Sequence, residues 1–427
     1  MNRVREPLFP SQGRSHGDGR VVLYSHDTMG IGHMRRNVLI AQTLTAQPIS
    51  ASVLLIAGAR EATDFAVPPN VDWLTLPSLH KFENGRYGSR NLRMPVAQLI
   101  ELRAQAIAAA VRAFQPDVLI ADKEPRGALG ELQPTLDWLK SHGRTRCVLG
   151  LRDVLDDATT VRREWDEARN EEAVRSYYDA VWVYGDPAVF DLAREYDLCQ
   201  DLRAKLIYSG YLDACQRLKL QPHDRGNGAA DARPPGQRFA LCMVGGGQDG
   251  ADLADAFISA EFPKGLSGVV VTGPFMPADT RRNLRARAES RSHLRVLDFV
   301  PEPCRLLCRA ERVVAMGGYN TVSEILALEK PALVIPRVAP RREQLIRAQR
   351  LSELALLDML HPESLTASEV GAWLARNPAP MPRVRSVIDM NGTRRLPRLL
   401  RSVLAGSPRD QAGPAAPRSA EVRHATC

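Results

Sequence analysis

The chain has 427 residues, of which 44% are hydrophobic and 25% charged, and it carries a formal net charge of +8 at pH 7. This composition excludes fibrous and broadly disordered proteins, and the length suggests two domains, since one domain usually takes about 100–200 residues. The first 20 residues lack the apolar core of a signal peptide and no apolar run reaches the roughly 20 residues that span a bilayer, so we expect a cytoplasmic protein.

Short apolar segments alternate with helical patterns from Val21 onwards. This alternation predicts successive βα units, and therefore a parallel sheet. The predicted strands of this first series are VVLYS (21–25), SVLLIAG (52–58), DVLIAD (117–122), CVLGL (147–151), AVWVYG (180–185) and KLIYSG (205–210).

A stretch rich in Gly, Pro, Asp and Ala, residues 221–237, interrupts this pattern and predicts a linker. A second βα series follows it, with strands predicted at 239–245, 268–273, 294–300, 312–317 and 332–336. We therefore predict an α/β protein with two doubly wound domains, which bind ligands at the carboxyl ends of their strands. The predicted divisions are an N-terminal arm (1–19), a first domain (20–215), a linker (216–237), a second domain (238–378), a helical segment (379–405) and a disordered tail (406–427).

The first candidate loop, SHDTMGIGHMRRN (25–37), follows the first strand and leads into a helix. Gly30 and Gly32 would allow a ligand to approach the backbone closely, in front of the positive end of the helix dipole. His33 is a candidate general base or anion ligand, and an exposed polar histidine is the alternative. The two arginines that follow, at 35 and 36, could bind phosphate or face solvent.

A second loop of the first domain, ADKEPRG (121–127), offers two carboxylates at the same edge of the sheet. Asp122 or Glu124 could act as the base instead of His33, although acids that only cap a loop explain them equally well. The carboxylates of RDVLDD (152–157) are weaker candidates for the same role.

Two glycine-rich turns mark the second domain. In MVGGGQDG (243–250), Gly246 and Gly247 would leave room for a diphosphate against a helix N-terminus. In AMGGYNTVSEILALEKPALVIP (315–336), residues 317 and 318 predict a sharp turn. Thr321 and Glu324 have the spacing of a capping box, but Glu324 could equally accept hydrogen bonds from a ribose diol.

Metal sites are not indicated by the sequence. The seven cysteines are scattered, and Cys304 and Cys308 are not followed by a second pair at zinc spacing, so reduced thiols are expected. No D-x-D motif occurs that would hold a metal-bridged diphosphate.

The segment GGYNTVSEILALEKPALVIPRVAPRREQ (317–344) resembles the donor site of the two-domain GT-B glycosyltransferases, specifically the MurG-like group with a glycosyltransferase family 28 type C-terminal domain. It also resembles a group of predicted bacterial glycosyltransferases. The resemblance is strongest over about 239–350. It implies two Rossmann-like domains that face each other across a cleft.

The resemblance also implies roles for individual residues. Glu324 would hold the ribose, Thr321 and the turn at Gly317 and Gly318 would lie against the diphosphate, and Gln344 would contact the donor sugar. Other implied contacts are Phe299 and Val300 at the base, Gly246 and Gly247 in the first loop of the second domain, and GIGH (30–33) as the acceptor-side loop with its base, His33. The chain departs from the family pattern before Gln344, where Arg341, Arg342 and Glu343 stand, so we expect Arg342 to contact an acceptor or a phosphate.

These observations together predict an inverting, metal-independent glycosyltransferase that needs no cofactor. It would move a sugar from a nucleotide donor, UDP being the expected nucleotide, to a hydroxyl of a lipid-linked or polysaccharide precursor of the cell envelope. A nucleotide-sugar 2-epimerase and a non-catalytic binding subunit of a membrane complex are the alternatives. No nucleic-acid partner is expected. The basic segment 394–401 predicts either peripheral membrane contact at the inner face of the membrane or a helix that packs back across the cleft.

Overall fold

The computed structural model describes residues 19–26, 32–58, 67–81, 86–216, 238–300, 302–377 and 382–406. The predictions for Gly30, for the linker and for nearly all of the N-terminal arm and C-terminal tail concern residues outside these ranges. None of the helices in the described ranges is long and apolar enough to cross a bilayer.

The N-terminal domain is built on a seven-stranded parallel sheet in the order β3-β2-β1-β6-β7-β8-β9. Its strands are apolar runs because helices cover both faces of such a sheet. The strands are β1 (Arg20–Ser25), β2 (Ser52–Ala57), β3 (Val71–Thr75), β6 (Val118–Asp122), β7 (Arg146–Arg152), β8 (Ala180–Tyr184) and β9 (Leu206–Tyr208), and an antiparallel hairpin is formed by β4 (Leu79–Lys81) and β5 (Tyr87–Ser89).

The C-terminal domain repeats this plan with a six-stranded parallel sheet in the order β12-β11-β10-β13-β14-β15. In both sheets the strand order reverses beside the first strand of the domain, at β1/β6 and at β10/β13, and this is where doubly wound folds bind ligands. The strands are β10 (Arg238–Met243), β11 (Leu266–Val271), β12 (Leu294–Leu297), β13 (Arg312–Ala315), β14 (Ala332–Val334) and β15 (Asp358–Met359).

The helices connect the strands and cover the two sheets. Those of the N-terminal domain are α1 (Gly32–Thr45), α2 (Val96–Phe114), α3 (Gln133–His142), α4 (Ala158–Glu167), α5 (Asn170–Tyr177), α6 (Leu192–Glu195) and α7 (Gln200–Arg203). Those after the linker are α8 (Ala251–Ser259), α9 (Ala278–Glu289), α10 (Cys304–Arg309), α11 (Tyr319–Ala327), α12 (Glu343–Glu353), α13 (Ala367–Ala375), α14 (Val384–Val387) and α15 (Gly392–Leu404).

The last helix, α15, returns to the N-terminal domain and packs against α1. Its apolar side chains at 396, 399, 400 and 403 are buried, whereas Arg394, Arg398 and Arg401 are exposed. Of the two predictions made for this segment, the packed helix is therefore the one that the structure contains. Since one face of α15 is already buried, only its arginine face can meet another surface.

The structure differs from the predicted elements in two ways. The edge strand β3, the hairpin and the two-residue strand β15 were not predicted; they are short, and the side chains of β3 are only partly buried or exposed, so their apolar patterns are weak. The strand predicted at 294–300 ends at Leu297, which places Phe299 and Val300 in the following loop.

Candidate functional site

A cavity of about 220 Å³ lies between the two domains, at the carboxyl edges of both sheets. The N-terminal domain contributes Gly32, His33, Arg35, Arg36 and Arg152 to its wall. The facing residues of the C-terminal domain include Gly245, Gly246, Phe299, Val300, Gly318 and Thr321. The cavity thus joins a polar, arginine-rich wall to a wall of glycine turns.

His33 and Asp122, which the sequence offered as alternative bases, lie in contact. Nδ1 of His33 is 2.6 Å from Oδ2 of Asp122, and the two side chains are 16% and 3% exposed. Because a carboxylate accepts hydrogen bonds, this contact places the proton of a neutral imidazole on Nδ1 and leaves Nε2 with the free electron pair. The pair therefore consists of a candidate general base, the imidazole, and a carboxylate that orients it.

Arg36 holds the same carboxylate from the other side. Its Nη2 atom donates to both oxygens of Asp122 at 2.6 Å, and it also lies 3.0 Å from Nδ1 of His33. Burial alone would raise the pKa of Asp122, but Arg36 and His33 together hold it well below its usual value. Asp122 therefore stays ionised.

Burial lowers the pKa of His33 below its ordinary 6.5, and the negative charge of Asp122 opposes this shift without cancelling it. His33 is consequently neutral at physiological pH, as a general base must be.

Glu124 is not among the residues that line the cavity. Its carboxylate pairs with Lys123 at 2.8 Å and is about one-third exposed. The structure thus separates Glu124 from the pair formed by His33 and Asp122.

The first glycine turn of the C-terminal domain follows β10. Gly245 has a φ of +66°, and Gly246 lines the cavity beside it. Gly247 has a structural reason to be glycine, since its φ is +93° and a Cβ there would lie 2.2 Å from the carbonyl oxygen of Thr272. The backbone at Gly245 and Gly246 is therefore the part of this turn that a ligand could reach.

The second glycine turn corrects a prediction. Helix α11 begins at Tyr319 with Gly318 as its N-cap and has no side-chain cap, so Thr321 and Glu324 do not form a capping box. Gly318 and Thr321 instead line the cavity, where the N-terminus of α11 points. Gly317 packs against Gln344, because a Cβ on Gly317 would be 3.1 Å from the Cβ of that residue.

Glu324 lies inside α11 and its side chain is only 1% exposed. Its Oε1 accepts a hydrogen bond from Nη2 of Arg35, in the other domain, at 3.1 Å. Both residues line a small void of about 10 Å³ beside the main cavity. The Glu324 carboxylate thus lies at the domain interface, on the helix that begins at the glycine turn.

Gln344 and Arg342 do not line the cavity. Oε1 of Gln344 accepts a hydrogen bond from the backbone of Arg337, and the side chain of Arg342 is exposed while its backbone N–H donates to Asp156 at 2.8 Å. Arg341 pairs with Asp156 and with Glu164. In this structure the polar loop before α12 therefore connects the domains.

Two features of the site were missed by sequence reasoning. Arg152 lines the cavity although only carboxylates of the 152–157 segment had been considered. Arg347 donates to Asp153 across the domain interface, where both side chains are fully buried. The available signal in the sequence was that Arg152 and Asp153 stand at the end of a buried strand.

Comparison with known proteins supports the fold and the resemblance. No family model matches the chain. The UDP-N-acetylglucosamine--N-acetylmuramyl-(pentapeptide) pyrophosphoryl-undecaprenol N-acetylglucosamine transferases of Pelobacter propionicus and Geobacillus thermodenitrificans are 28% and 26% identical in alignments of 172 and 168 residues. These alignments cover 36% and 39% of this chain. The chain spans only 45% and 46% of the length of these curated relatives.

Solved structures match nearly the whole chain. The UDP-GlcNAc 2-epimerase from Neisseria meningitidis, bound to UDP-GlcNAc, has a TM-score of 0.58 at 13% identity and covers 91% of this chain and 100% of its own. The glycotransferase of kitacinnamycin has a TM-score of 0.57 at 16% identity, covering 91% and 99%. The predicted fold of two Rossmann-like domains is confirmed, and the predicted resemblance to the MurG-like proteins is confirmed over the part of the chain that they match.

Proposed function

We propose that the protein is an inverting glycosyltransferase that uses a uridine diphosphate sugar as donor and a hydroxyl group as acceptor. The observation that carries this proposal is that His33, which lines the interdomain cavity together with the glycine turns of the C-terminal domain, is in contact with the carboxylate of Asp122. The GT-B fold and the partial likeness to transferases of N-acetylglucosamine support it.

In the proposed reaction the acceptor hydroxyl lies beside Nε2 of His33. The nitrogen takes the hydroxyl proton as the oxygen attacks the anomeric carbon of the donor sugar from the face opposite the diphosphate. The bond between that carbon and the phosphate oxygen breaks, and its electron pair leaves with the diphosphate. Asp122 stabilises the imidazolium, because its ionised carboxylate is already in contact with Nδ1.

The donor would occupy the C-terminal wall. Its diphosphate would lie against Gly246, Gly318 and Thr321, where backbone N–H groups and the dipole of α11 favour negative charge. Its base would lie near Phe299 and Val300, and Glu324 would hold the ribose after the carboxylate exchanges its contact with Arg35 for hydroxyl donors. Gln344 and Arg342 would reach the substrates only if the loop before α12 moved.

An epimerase is the second candidate, because two of the structurally similar proteins are 2-epimerases of UDP-N-acetylglucosamine. An epimerase changes its nucleotide sugar without an acceptor, whereas a transferase consumes the donor only with an acceptor or slowly with water. Incubation with UDP-N-acetylglucosamine alone, followed by NMR, separates the two activities. A non-catalytic subunit would bind the nucleotide sugar and leave it unchanged both with and without an acceptor.

The test of donor binding is a calorimetric titration of UDP, UDP-N-acetylglucosamine, GDP and TDP into the wild type and Glu324→Gln. The loss of hydrogen bonds to a charged carboxylate should cost roughly 1.5–3 kcal/mol, about a 10- to 100-fold weaker Kd. Glu329→Gln, on an exposed residue just after α11, is the matched control. If no uridine nucleotide binds to the folded wild type, the proposed function is wrong.

A further inference from the structure

Arg152 ends β7, at the carboxyl edge of the N-terminal sheet, and its side chain lines the interdomain cavity. The same cavity is bounded by Gly246 and Gly318, which belong to the two glycine turns of the opposite domain. Arg152 is therefore a cation that faces the ends of the C-terminal strands from across the cleft.

The three arginines of the cavity wall differ in their partners. Arg35 donates to Glu324 at 3.1 Å, and Arg36 donates to both oxygens of Asp122 at 2.6 Å. Arg152 forms no ion pair within 4.0 Å with any carboxylate of the described residues, and its buried Nε has no hydrogen-bond partner among them. Arg35 and Arg36 are thus each paired directly with a carboxylate, whereas the guanidinium of Arg152 is not.

Charges of both signs surround Arg152, and the strongest charge effect on it comes from the carboxylate of Glu343. Burial lowers the pKa of its guanidinium, Arg347 and Arg36 lower it further, and Glu343 and Asp153 act in the opposite sense. An arginine remains protonated in spite of such a shift. The buried Nε of Arg152 lacks an acceptor, which is unfavourable, and a bound anion would supply one.

We propose that Arg152 binds the diphosphate of the nucleotide donor across the cleft and stabilises it as it leaves. This inference rests on the proposed function and adds a binding residue to it. As the bond from the anomeric carbon to the phosphate oxygen breaks, the electron pair moves onto that oxygen. The guanidinium then faces a more negative group than in the bound donor, so it stabilises the transition state more than the ground state.

The donor diphosphate is favoured over a phosphate of the acceptor because the glycine turns of the C-terminal domain lie opposite Arg152. Gly246, Gly318 and the N-terminus of α11 share the cavity with Arg152, so an anion held by those N–H groups would lie in the same cavity as the guanidinium. The guanidinium and the helix N-terminus would then contact one anion from two sides.

The experiment titrates UDP, uridine and inorganic pyrophosphate separately into the wild type, Arg152→Gln, Arg152→Lys and Arg163→Gln. Arg163, an exposed residue of α4, is the matched control. We expect Arg152→Gln to weaken UDP 10- to 100-fold and to leave uridine unchanged. Arg152→Lys should bind UDP more tightly than Arg152→Gln but less tightly than the wild type, because lysine keeps the positive charge but cannot form bidentate hydrogen bonds. The control should bind like the wild type.

Each other outcome overturns a distinct claim. UDP binding by the wild type that is unaffected in Arg152→Gln would refute the role of Arg152 while the donor site stands. Weaker pyrophosphate binding with intact UDP affinity would assign Arg152 to a phosphate of the acceptor, against the inference. No uridine nucleotide binding by the folded wild type would refute the proposed function itself.

Thermal unfolding without ligand separates binding from a structural role. Removing a guanidinium whose buried Nε has no hydrogen-bond partner among the described residues should leave the Tm of Arg152→Gln equal to or above that of the wild type. Added UDP should raise the wild-type Tm more than that of the variant, since a ligand stabilises the folded state according to its affinity. A lower Tm of the variant with an equal UDP effect would show that Arg152 only supports the fold.

Discussion

The guanidinium of Arg347, on α12 of the C-terminal domain, and the carboxylate of Asp153, just after β7 of the N-terminal domain, form an ion pair that is completely buried. Nη2 of Arg347 lies 2.6 Å from Oδ1 and Nε lies 2.8 Å from Oδ2. The same arginine donates to the carbonyl oxygen of Gly317, and Asp153 accepts from Tyr211. One buried charge pair thus connects the glycine turn of one domain to a sheet edge of the other.

Removal of one partner should open the cleft or destabilise the protein. Arg347→Met leaves Asp153 as a buried charge without its cation, for which the expected cost is about 3–5 kcal/mol. Thermal unfolding measures the loss of stability, and small-angle X-ray scattering detects separation of the domains. Arg350→Gln breaks partly exposed ion pairs with Glu195 and Glu353 and should cost less than about 1 kcal/mol. Equal effects of the two variants would contradict the importance of the buried pair.

His33→Gln should abolish most of the transfer activity while leaving donor affinity nearly intact. A positioned general base contributes roughly 10²- to 10⁴-fold to the rate, and glutamine cannot accept the proton. The measurement is release of UDP from the nucleotide sugar that binds, in the presence of screened hydroxyl acceptors. His142→Gln, at an exposed position of α3, controls for the loss of a histidine. Retention of full activity by His33→Gln would exclude His33 as the base.

The acid limb of the pH profile should lie below pH 6.5. Only neutral His33 can take a proton, and burial lowers its pKa, so kcat/KM should remain constant down to about pH 6.5 and fall at lower pH. Asp122 raises this pKa, so Asp122→Asn should move the limb to still lower pH in addition to reducing the rate. A limb that moves upward in Asp122→Asn would contradict the pairing.

His26, at the end of β1, should make the protein sensitive to acid. It is 5% exposed, and burial lowers its pKa to about 3. His33 and Lys123 also lower this pKa, whereas the carboxylates of Glu124 and Asp122 oppose the shift. The unfolded chain binds this proton from about pH 6.5 downwards and the folded chain does not, so stability must fall between pH 6.5 and pH 3.

The contribution of His26 can reach about 1.4 kcal/mol per pH unit, because one proton distinguishes the two states. In His26→Gln the free energy of unfolding should therefore depend less steeply on pH over that interval. Urea unfolding at a series of pH values measures the slope. His142→Gln should keep the wild-type slope, and an unchanged slope in His26→Gln would disprove the assignment.

Helix α15 should stabilise the fold through its apolar face alone. Leu400 is fully buried, so Leu400→Ala should cost about 2–5 kcal/mol of unfolding free energy. Replacement of the exposed Arg394, Arg398 and Arg401 together by glutamine should shift stability by less than about 0.5 kcal/mol per site.

The triple variant also tests membrane contact, because reduced co-sedimentation with anionic vesicles would show that the arginine face binds lipid headgroups.

The amino-acid sequence by itself determined the local features of this protein. Apolar runs such as VVLYS predict buried parallel strands, and consecutive glycines after a strand predict sharp turns, because both patterns depend on neighbours in the chain. The 317–344 segment also carried the resemblance to GT-B proteins within one continuous stretch. The capping box failed for a local reason, since α11 begins two residues before Thr321.

Only the tertiary structure decided which side chains meet. His33 and Asp122 are 89 residues apart, Arg347 and Asp153 are 194 apart, and Arg35 and Glu324 are 289 apart. Each contact arises because strands distant in sequence become neighbours in a sheet, or because two sheets turn their carboxyl edges toward each other. No local pattern could select one histidine, one carboxylate or one cavity-lining arginine from the many in the chain, since their pKa values and partners are fixed by burial and by charges that the fold brings near.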